Sequence, residues 1–261
     1  MCFPPGARPP EIPSDLRSIS GGAGGQDIIL TSGDGATFRT FFAAGQGDAG
    51  VVIAPDVRGL HAFYEELAER FASAGVPAIA FDYFGRTAGT ARRPDDFAFQ
   101  EHVTAARARP DLIQADIAAS VAELKRRSGA SRIFVLGFCM GGRVAFNASA
   151  EQAGLAGVVG FYGVTRKRDD GDTDAPIGKV DRMRAPILGL FGGGDQAIPA
   201  GDIDVFGKAL TDRKLAHHLV TYPDAPHSFF DRSFAEWTVA CADAWRRVLG
   251  FISTSDPKAV K

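Results

Sequence analysis

Residues 134–142 read FVLGFCMGG, and a further apolar run follows at residues 144–146. The first apolar residues predict a short buried strand, the glycines a tight turn, and the run after them a helix. Gly-x-Cys-x-Gly at a strand-to-helix turn is the pattern of a nucleophile elbow, with cysteine where serine is usual. Gly137 and Gly141 let the strand and the helix approach, while Cys139 is held in a strained conformation. The stretch therefore predicts an α/β fold with a nucleophile at Cys139.

Strands and helices alternate on both sides of this turn. Strands are predicted at 27–31, 37–43, 51–54, 77–81, 133–136, 157–161, 187–191 and 216–222. Helices are predicted at 61–74, from Pro110 through Leu124, and at 140–151, 201–212 and 233–250. Uninterrupted alternation with short apolar strands predicts a mostly parallel central sheet with helices on both faces.

The domain organisation follows from length and local composition. The chain has 261 residues, which suits one large α/β domain. Residues 1–25 are rich in proline and glycine and predict an N-terminal segment, so that residues 26–261 form a single domain. Residues 82–109 are polar and poorly periodic, and we interpret them as a candidate substrate-side insertion. His61 precedes a predicted helix, which fits a surface position at the helix N-terminus or the lining of a pocket.

Composition excludes several classes of function. The formal net charge of −2 gives no electrostatic reason to expect nucleic acid or an anionic membrane as a partner. No apolar stretch reaches the ~18 residues that span a bilayer, and residues 1–13 lack the apolar core of a secretory signal. Cys2, Cys139 and Cys241 match neither a disulfide framework nor a zinc site. We expect a cytoplasmic protein whose thiols stay reduced, with no metal and no organic cofactor.

Two polar residues follow later predicted strands. Asp195 comes after the strand at 187–191 and three glycines, and His227 comes after the strand at 216–222. The order nucleophile, acid, histidine is that of the α/β-hydrolases, in which a base activates the nucleophile and an acid orients the base. The carboxyl ends of parallel strands meet at one edge of a sheet. The sequence therefore predicts a catalytic triad of Cys139, Asp195 and His227.

Two alternatives from other classes of protein stay open. The fold can bind a ligand without turning it over, although a complete set of cysteine, aspartate and histidine argues against that interpretation. Cys139 could also be a redox sensor, because an exposed thiolate is readily oxidised. No second cysteine lies near it in sequence, which argues against this alternative.

At residues 137–142, Gly-Phe-Cys-Met-Gly-Gly, the chain resembles the dienelactone hydrolase family. The members of this family are α/β-hydrolases with a cysteine nucleophile, and the similarity runs from about residue 27 to about residue 250. Other matching segments are 54–59, 81–86, 161–164, 193–195 and 226–229. The resemblance implies the α/β-hydrolase fold and hydrolysis of a small ester or lactone by Cys-His-Asp acyl transfer, without a cofactor.

The resemblance also implies groups around the nucleophile. The oxyanion hole would consist of the backbone N–H groups of Met140 and Val57. The family has an acid, usually glutamate, that contacts the nucleophilic thiol, and the corresponding residue here is Asp56, one methylene shorter. An alternative for Asp56 is a structural contact with Arg58.

Two arginines of the family bind the carboxylate of dienelactone. The first corresponds to Arg86. The second falls close after the catalytic histidine, where this chain has Asp231, with Arg232 one residue later. Arg86 and Arg232 are therefore candidate substrate-binding residues. The alternative for Arg86 is an ion pair at the surface with Asp95 or Asp96.

Overall fold

The structure is a computed structural model that describes residues 8–17, 24–94, 96–169, 171–231 and 234–261. Two residues with predicted roles, Asp95 and Arg232, lie outside these ranges, as does most of the N-terminal segment 1–25. The chain divides into two compact units, unit 1 (Met1–Ile133) and unit 2 (Phe134–Lys261). The single domain over residues 26–261 stays a prediction.

Unit 1 contains four strands, four α-helices and a 3-10 helix (Ser14–Leu16) among its described residues. The strands are β1 (Gln26–Thr31), β2 (Thr37–Ala43), β3 (Ala49–Ala54) and β4 (Ala78–Phe81). The helices are α1 (Ala62–Ser73), α2 (Gly85–Ala88), α3 (Gln100–Ala108) and α4 (Pro110–Ser128). The strand order is β1-β2-β4-β3, with β2 antiparallel to both β1 and β4, and β3 parallel to β4.

The strands and helices of unit 1 follow their apolar patterns. All six residues of β3 are buried, as expected for a parallel strand covered on both faces. Helix α1 buries Phe63, Leu67 and Phe71, which are four residues apart and so share one face. The helix ends at Ser73, and Gly75, two residues later, has a φ of 86°, which suits a residue without a Cβ.

The predicted irregular insertion at residues 82–109 is wrong in part, because it contains α2 and α3. Arg93 and Asp82 form a buried ion pair of 2.7 Å, and the Arg93 guanidinium lies 5.0 Å from the Phe97 ring centre. The His102 ring stacks on Phe97 at 5.0 Å. Helix α3 buries only Val103 of its nine residues, so the sequence shows little apolar periodicity.

The surface position expected for His61 is wrong. His61 is 6% exposed, and its ring lies edge-on to that of Tyr64, with 5.1 Å between the ring centres. Its side chain makes no hydrogen bond that caps α1. Burial, and to a smaller extent the charge of Arg58, lowers the pKa of His61 to about 3. The histidine is therefore a neutral packing residue at neutral pH.

Unit 2 carries strands that are all parallel to one another. The strands, in spatial order, are β5 (Arg132–Phe138), β6 (Gly157–Phe161), β7 (Ile187–Gly192) and β8 (His217–Tyr222). The first two residues of β5 belong to unit 1. The helices are α5 (Met140–Glu151), α6 (Ala200–Asp212) and α7 (Thr238–Thr254), and a 3-10 helix spans Pro176–Arg182. The last helix was predicted to begin at residue 233 but begins at Thr238.

Helices cover both faces of β6. A Cβ at Gly157 would lie 2.3 Å from the Phe251 ring of α7, and a Cβ at Gly160 would lie 2.3 Å from the Phe146 ring of α5. Residues three apart in a strand face opposite sides. The two glycines therefore let an aromatic ring pack on each face, as predicted for a sheet between helix layers. Within the described residues no helix meets the length and apolarity needed to cross a membrane.

Candidate active site

Cys139 occupies the sharp turn between β5 and α5. Its φ is 54° and its ψ is −111°, a left-handed conformation that costs a non-glycine residue about 1–3 kcal/mol. A Cβ at Gly137 would lie 2.0 Å from the Gly141 carbonyl oxygen, so the turn requires glycine there. The Cys139 N–H donates to the Phe161 carbonyl at 3.0 Å. The backbone geometry is thus that of the predicted elbow.

The environment of the thiol favours its ionised form. Cys139 is partly exposed and is the residue from which α5 begins. The first N–H groups of a helix lack partners within it and carry a partial positive charge, which stabilises an anion placed there. Reactive cysteines occur in such partly exposed positions at helix N-termini.

Asp195 is held on both oxygens of its carboxylate. It follows β7 and is 5% exposed. One oxygen, Oδ2, lies 2.6 Å from Nδ1 of His227. The other, Oδ1, accepts the backbone N–H of Ala197 at 2.9 Å. Because both oxygens have partners, the carboxylate can orient the imidazole and fix which nitrogen carries a proton.

Three glycines before Asp195 bring its loop against the loop that leads to His227. A Cβ at Gly192 would lie 2.3 Å from the Ala225 carbonyl oxygen. The N–H of Gly194 donates to the same carbonyl at 2.9 Å. The sequence contains this signal, a Gly-Gly-Gly run directly before the acid, but the pattern alone does not reveal which loop it packs against.

His227 lies between a carboxylate and a thiol, and its side chain is 30% exposed. Burial lowers the pKa of His227, but hydrogen bonds with Asp195 and Cys139 and the negative charges of both outweigh it, raising the pKa to about 10. At neutral pH the ring is therefore an imidazolium. The three predicted triad residues come together in unit 2, in the order acid, histidine, cysteine.

Tyr162 is a further site residue, which the sequence marked only as part of a matching segment. It directly follows β6 with a left-handed φ of 37°, and it is fully buried. Its ring centre lies 5.0 Å from that of His227 and 5.6 Å from that of Phe229. The tyrosine forms one wall beside the imidazole. An aromatic residue directly after a buried strand is the only signal in the sequence.

Asp56 and Val57 lie in unit 1, on the turn after β3. Asp56 is buried, and its Oδ1 accepts the backbone N–H of Arg58 at 2.7 Å. The backbone N–H of Asp56 donates to the Tyr64 hydroxyl at 2.9 Å. Val57 is half-buried. The contact of Asp56 with the thiol and the oxyanion role of Val57 stay predictions.

Arg86 is bound to two carboxylates of unit 1. Its Nε and Nη2 donate to Asp34 at 2.8 and 2.9 Å, and its Nη1 and Nη2 donate to Asp116 at 2.7 and 2.8 Å. The acids are thus Asp34 and Asp116 rather than Asp96. The hydrogen bond from Arg86 lowers the pKa of Asp34 to about 2. Substrate binding by Arg86 stays a prediction, and so does that by Arg232, outside the described residues.

The mostly parallel strands, the helices on both faces of β6 and the elbow at Cys139 define an α/β-hydrolase fold. The family model described as "Dienelactone hydrolase family" matches residues 38–255. The chain therefore belongs to the dienelactone hydrolase family, and it is a hydrolase of the ester and lactone type.

Curated relatives and solved structures agree with this family. A protein of Escherichia coli (strain K12) named "Putative carboxymethylenebutenolidase" is 29% identical over 206 residues, which cover 76% of this chain and 74% of that protein. One of the same name from Methylorubrum extorquens is 27% identical and covers 87% and 79%. A crystal structure entitled "Putative Dienelactone Hydrolase" from Klebsiella pneumoniae superposes with a TM-score of 0.73 at 23% identity, covering 88% and 99%.

Proposed function

We propose that the chain hydrolyses a small ester or lactone through a covalent acyl-thioester on Cys139, with His227 as its acid–base group and Asp195 as the residue that orients His227. The observation that carries this proposal is the contact of 2.6 Å between Asp195 and His227, together with the hydrogen bond of His227 to Cys139. A thiol next to a histidine that a carboxylate orients is the arrangement of nucleophilic catalysis.

The reaction has two halves. The Cys139 thiolate attacks the carbonyl carbon and forms a tetrahedral intermediate, which expels the alcohol oxygen as the Nε2 proton of His227 passes to it. Water then attacks the thioester while His227 accepts a proton from it, and the carboxylic acid and the free thiolate–imidazolium pair result. For a lactone, both products are parts of one opened molecule. Asp195 orients His227 in both halves and stabilises it whenever it is an imidazolium.

The oxyanion of the tetrahedral intermediate needs donors that are already in place. Met140 is the first residue of α5 and directly follows Cys139, so its N–H is suited to this role. Each such donor contributes about 2.7–4 kcal/mol to stabilisation of the transition state in comparable sites. We assign the second donor to Val57 and the thiol-contacting acid to Asp56, both on the family resemblance.

Alkylation by iodoacetamide tests the nucleophile, and Cys241 is a matched control in the same unit. Cys241 is buried at 2% exposure; its thiol donates to the Phe229 carbonyl. Burial, with the charge of Asp231, raises the pKa of Cys241 to about 12. In a Cys2→Ala background, Cys139 should therefore be labelled first, and hydrolysis of p-nitrophenyl acetate should be lost in step with labelling.

Substitution completes the test. Cys139→Ala should lower kcat by about 10⁴- to 10⁶-fold, whereas Cys241→Ala should keep kcat within about threefold. A trapped acyl-enzyme in rapid-quench mass spectrometry should appear only when Cys139 is present. Labelling of Cys241 with intact turnover, or an active Cys139→Ala variant, would exclude Cys139 as the nucleophile.

A further inference from the structure

Tyr162 interrupts the extended backbone at the carboxyl end of β6. The strand ends at Phe161, and the φ of Tyr162 is 37°, a left-handed value that is rare for a residue with a bulky side chain. Strain of this kind persists only where surrounding contacts impose it, and it occurs often at functional sites. The contacts of Tyr162 and of its two neighbours therefore decide where its ring lies.

The neighbours of Tyr162 are fixed against the turn that carries Cys139. The Phe161 carbonyl accepts the N–H of Cys139 at 3.0 Å. On the other side of Tyr162, a Cβ at Gly163 would lie 2.5 Å from the carbonyl carbon of Gly142, in the first turn of α5. The absence of a Cβ at Gly163 therefore lets the chain after β6 lie directly against the elbow.

Tyr162 itself is attached to the strand that leads to the acid. Its backbone N–H donates to the carbonyl of Leu190 at 2.8 Å. Leu190 belongs to β7, and Asp195 follows this strand. The backbone at Tyr162 is therefore held from the side of the nucleophile and from the side of the acid, so its ring has a fixed origin.

The ring of Tyr162 packs on two residues of the loop that carries the base. Its centre lies 5.0 Å from that of His227, with 57° between the ring planes. The Phe229 ring lies edge-on to it at 5.6 Å. Ser228, between these two residues, is buried and has a left-handed φ of 62°. One aromatic ring thus contacts the residues on both sides of a second strained position.

The contact also suits a charged histidine. His227 is an imidazolium at neutral pH, because the effects of Asp195 and Cys139 on its pKa outweigh that of burial. An aromatic ring attracts a cation that lies within about 6 Å of the ring centre, and more strongly where water is excluded. Tyr162 is fully buried. The tyrosine therefore gives the imidazolium a third partner, one without charge.

We propose that Tyr162 is a positioning residue for His227, whose ring it holds between Asp195 and Cys139 and whose imidazolium form it stabilises. This role rests on the reaction proposed for Cys139, in which His227 gives up a proton in the first half and gains one in the second. The imidazole must keep its orientation through both steps. Tyr162 acts through the histidine, so its loss should lower kcat more than it changes KM.

Replacement of the ring tests the effect on turnover. Tyr162→Leu should lower kcat for p-nitrophenyl acetate by roughly ten- to hundredfold, because small displacements of a catalytic group cost this much, and should leave KM within about threefold. Tyr162→Phe keeps the ring that contacts His227 and Phe229, so it should restore kcat to within about threefold of wild type. If Tyr162→Leu does not fold, Tyr162→Met takes its place, since methionine fills irregular space in a core.

Phe134→Leu is the matched control for loss of a buried ring. Phe134 is fully buried in the same unit, and its ring packs edge-on to Phe251 of α7, with 5.1 Å between the ring centres. This variant should lose stability, as measured by urea unfolding, without the loss of kcat expected for Tyr162→Leu.

The titration of His227 gives a readout that needs neither substrate nor turnover. Histidine NMR, with the signal assigned from a His227→Gln variant, should show the pKa of His227 lower in Tyr162→Leu than in wild type by about half a unit to one and a half units. The direction follows because the lost ring favours the charged form. Tyr162→Phe and Phe134→Leu should leave this pKa close to the wild-type value.

The two readouts separate this role from the reaction itself. A Tyr162→Leu variant with the wild-type kcat and the wild-type pKa of His227 would overturn the proposal and leave the chemistry of Cys139 intact. Equal losses of kcat in Tyr162→Leu and Phe134→Leu, with no shift of this pKa, would make the tyrosine a packing residue only. A wild-type chain without turnover would exclude the reaction at Cys139, and the pKa comparison would then decide the role of Tyr162.

Discussion

Asp195 in unit 2 and Asp116 in unit 1 are both buried carboxylates with one strongly basic neighbour, but the neighbours differ. Asp195 contacts the imidazole of His227, whereas Asp116 accepts two hydrogen bonds from the guanidinium of Arg86. An imidazole can release and regain a proton near neutral pH, and a guanidinium cannot. The first pair can therefore take part in proton transfer, while the second can only hold its charge in place.

The remaining contacts extend this difference. On its other side His227 contacts the partly exposed thiol of Cys139. The histidine in unit 2 therefore connects the Asp195 carboxylate to the proposed nucleophile. On its other side Arg86 binds a second carboxylate, Asp34. The guanidinium in unit 1 therefore has carboxylates as its partners on both sides. Burial raises the pKa of Asp116, and the hydrogen bond from Arg86 opposes that rise. The same residue type thus occurs in two arrangements, which differ in the group that lies on the far side of its basic partner.

Removing the negative charge from each carboxylate should separate the two roles most clearly. Asp195→Asn should lower kcat by about 10³- to 10⁴-fold, because the amide no longer stabilises the imidazolium of His227. Asp116→Asn should leave kcat within about threefold but lower the free energy of unfolding by about 1–3 kcal/mol, because the half-buried Arg86 loses one anion and keeps the other. Kinetics on p-nitrophenyl acetate and urea unfolding of both variants measure the two effects.

The comparison fails if the two variants behave alike. Equal losses of kcat would mean that Asp116 also acts on the reaction. An Asp195→Asn variant with unchanged kcat and lowered stability would make Asp195 structural. Asp111→Asn is a control, since Asp111 and its partner Arg109 are both exposed, and an exposed pair contributes little to stability.

The charge state of His227 should make activity depend on pH in opposite directions for cysteine and serine. In the wild-type chain His227 keeps its proton until about pH 10. The value of kcat/KM should therefore stay constant around neutral pH and fall as the pH approaches 10, because the proton donor for the leaving alcohol is lost. Cys139→Ser removes the thiolate that helps to raise this pKa. A serine hydroxyl needs neutral imidazole as its base, so the residual rate should rise with pH.

The free energy of unfolding should also depend on pH through the protonation of His227. The pKa of His227 is raised from 6.5 to about 10 in the folded chain. The stabilisation linked to its proton is therefore complete below about pH 6.5 and is lost as the pH rises through about 10. Urea unfolding from about pH 6 to about pH 10 should show a larger loss for the wild type than for Cys139→Ser. Parallel profiles of the two proteins, in rate and in stability, would contradict the ion pair of Cys139 with His227.

The site in unit 2 could be predicted because its information is local. The elbow at Cys139 depends on glycines two residues away, and Asp195 and His227 each follow a recognisable apolar strand. Uninterrupted strand–helix alternation then predicts that all three residues lie at the carboxyl edge of parallel strands. The α/β fold class and the position of most strands followed from the same local patterns.

The contacts of unit 1 depend on distances that a sequence does not contain. Arg86 binds Asp34, 52 residues away in the sequence, and Asp116, 30 residues away. The sequence instead favoured Asp95 and Asp96 as partners, because these acids are closer to Arg86 along the chain. Helix α3 was missed because its polar residues leave little apolar periodicity. The burial of His61 likewise depends on the rings packed around it, whereas its place before a predicted helix favoured the surface.

Arg86→Ala should have the smallest effect on catalysis. Four donor contacts already go to Asp34 and Asp116, so little of the guanidinium remains for a substrate carboxylate. The free energy of unfolding should fall by about 1–3 kcal/mol, because Asp116 is left buried without its cation. Arg109→Ala, which removes an exposed arginine, should change the free energy of unfolding by less than about 1 kcal/mol.

For matched neutral and carboxylate-bearing esters, the ratio of kcat/KM in Arg86→Ala should shift less than about threefold. A selective ten- to hundredfold loss on the anionic ester would instead show that Arg86 also binds the substrate, since one charge-assisted contact contributes about 1.5–3 kcal/mol.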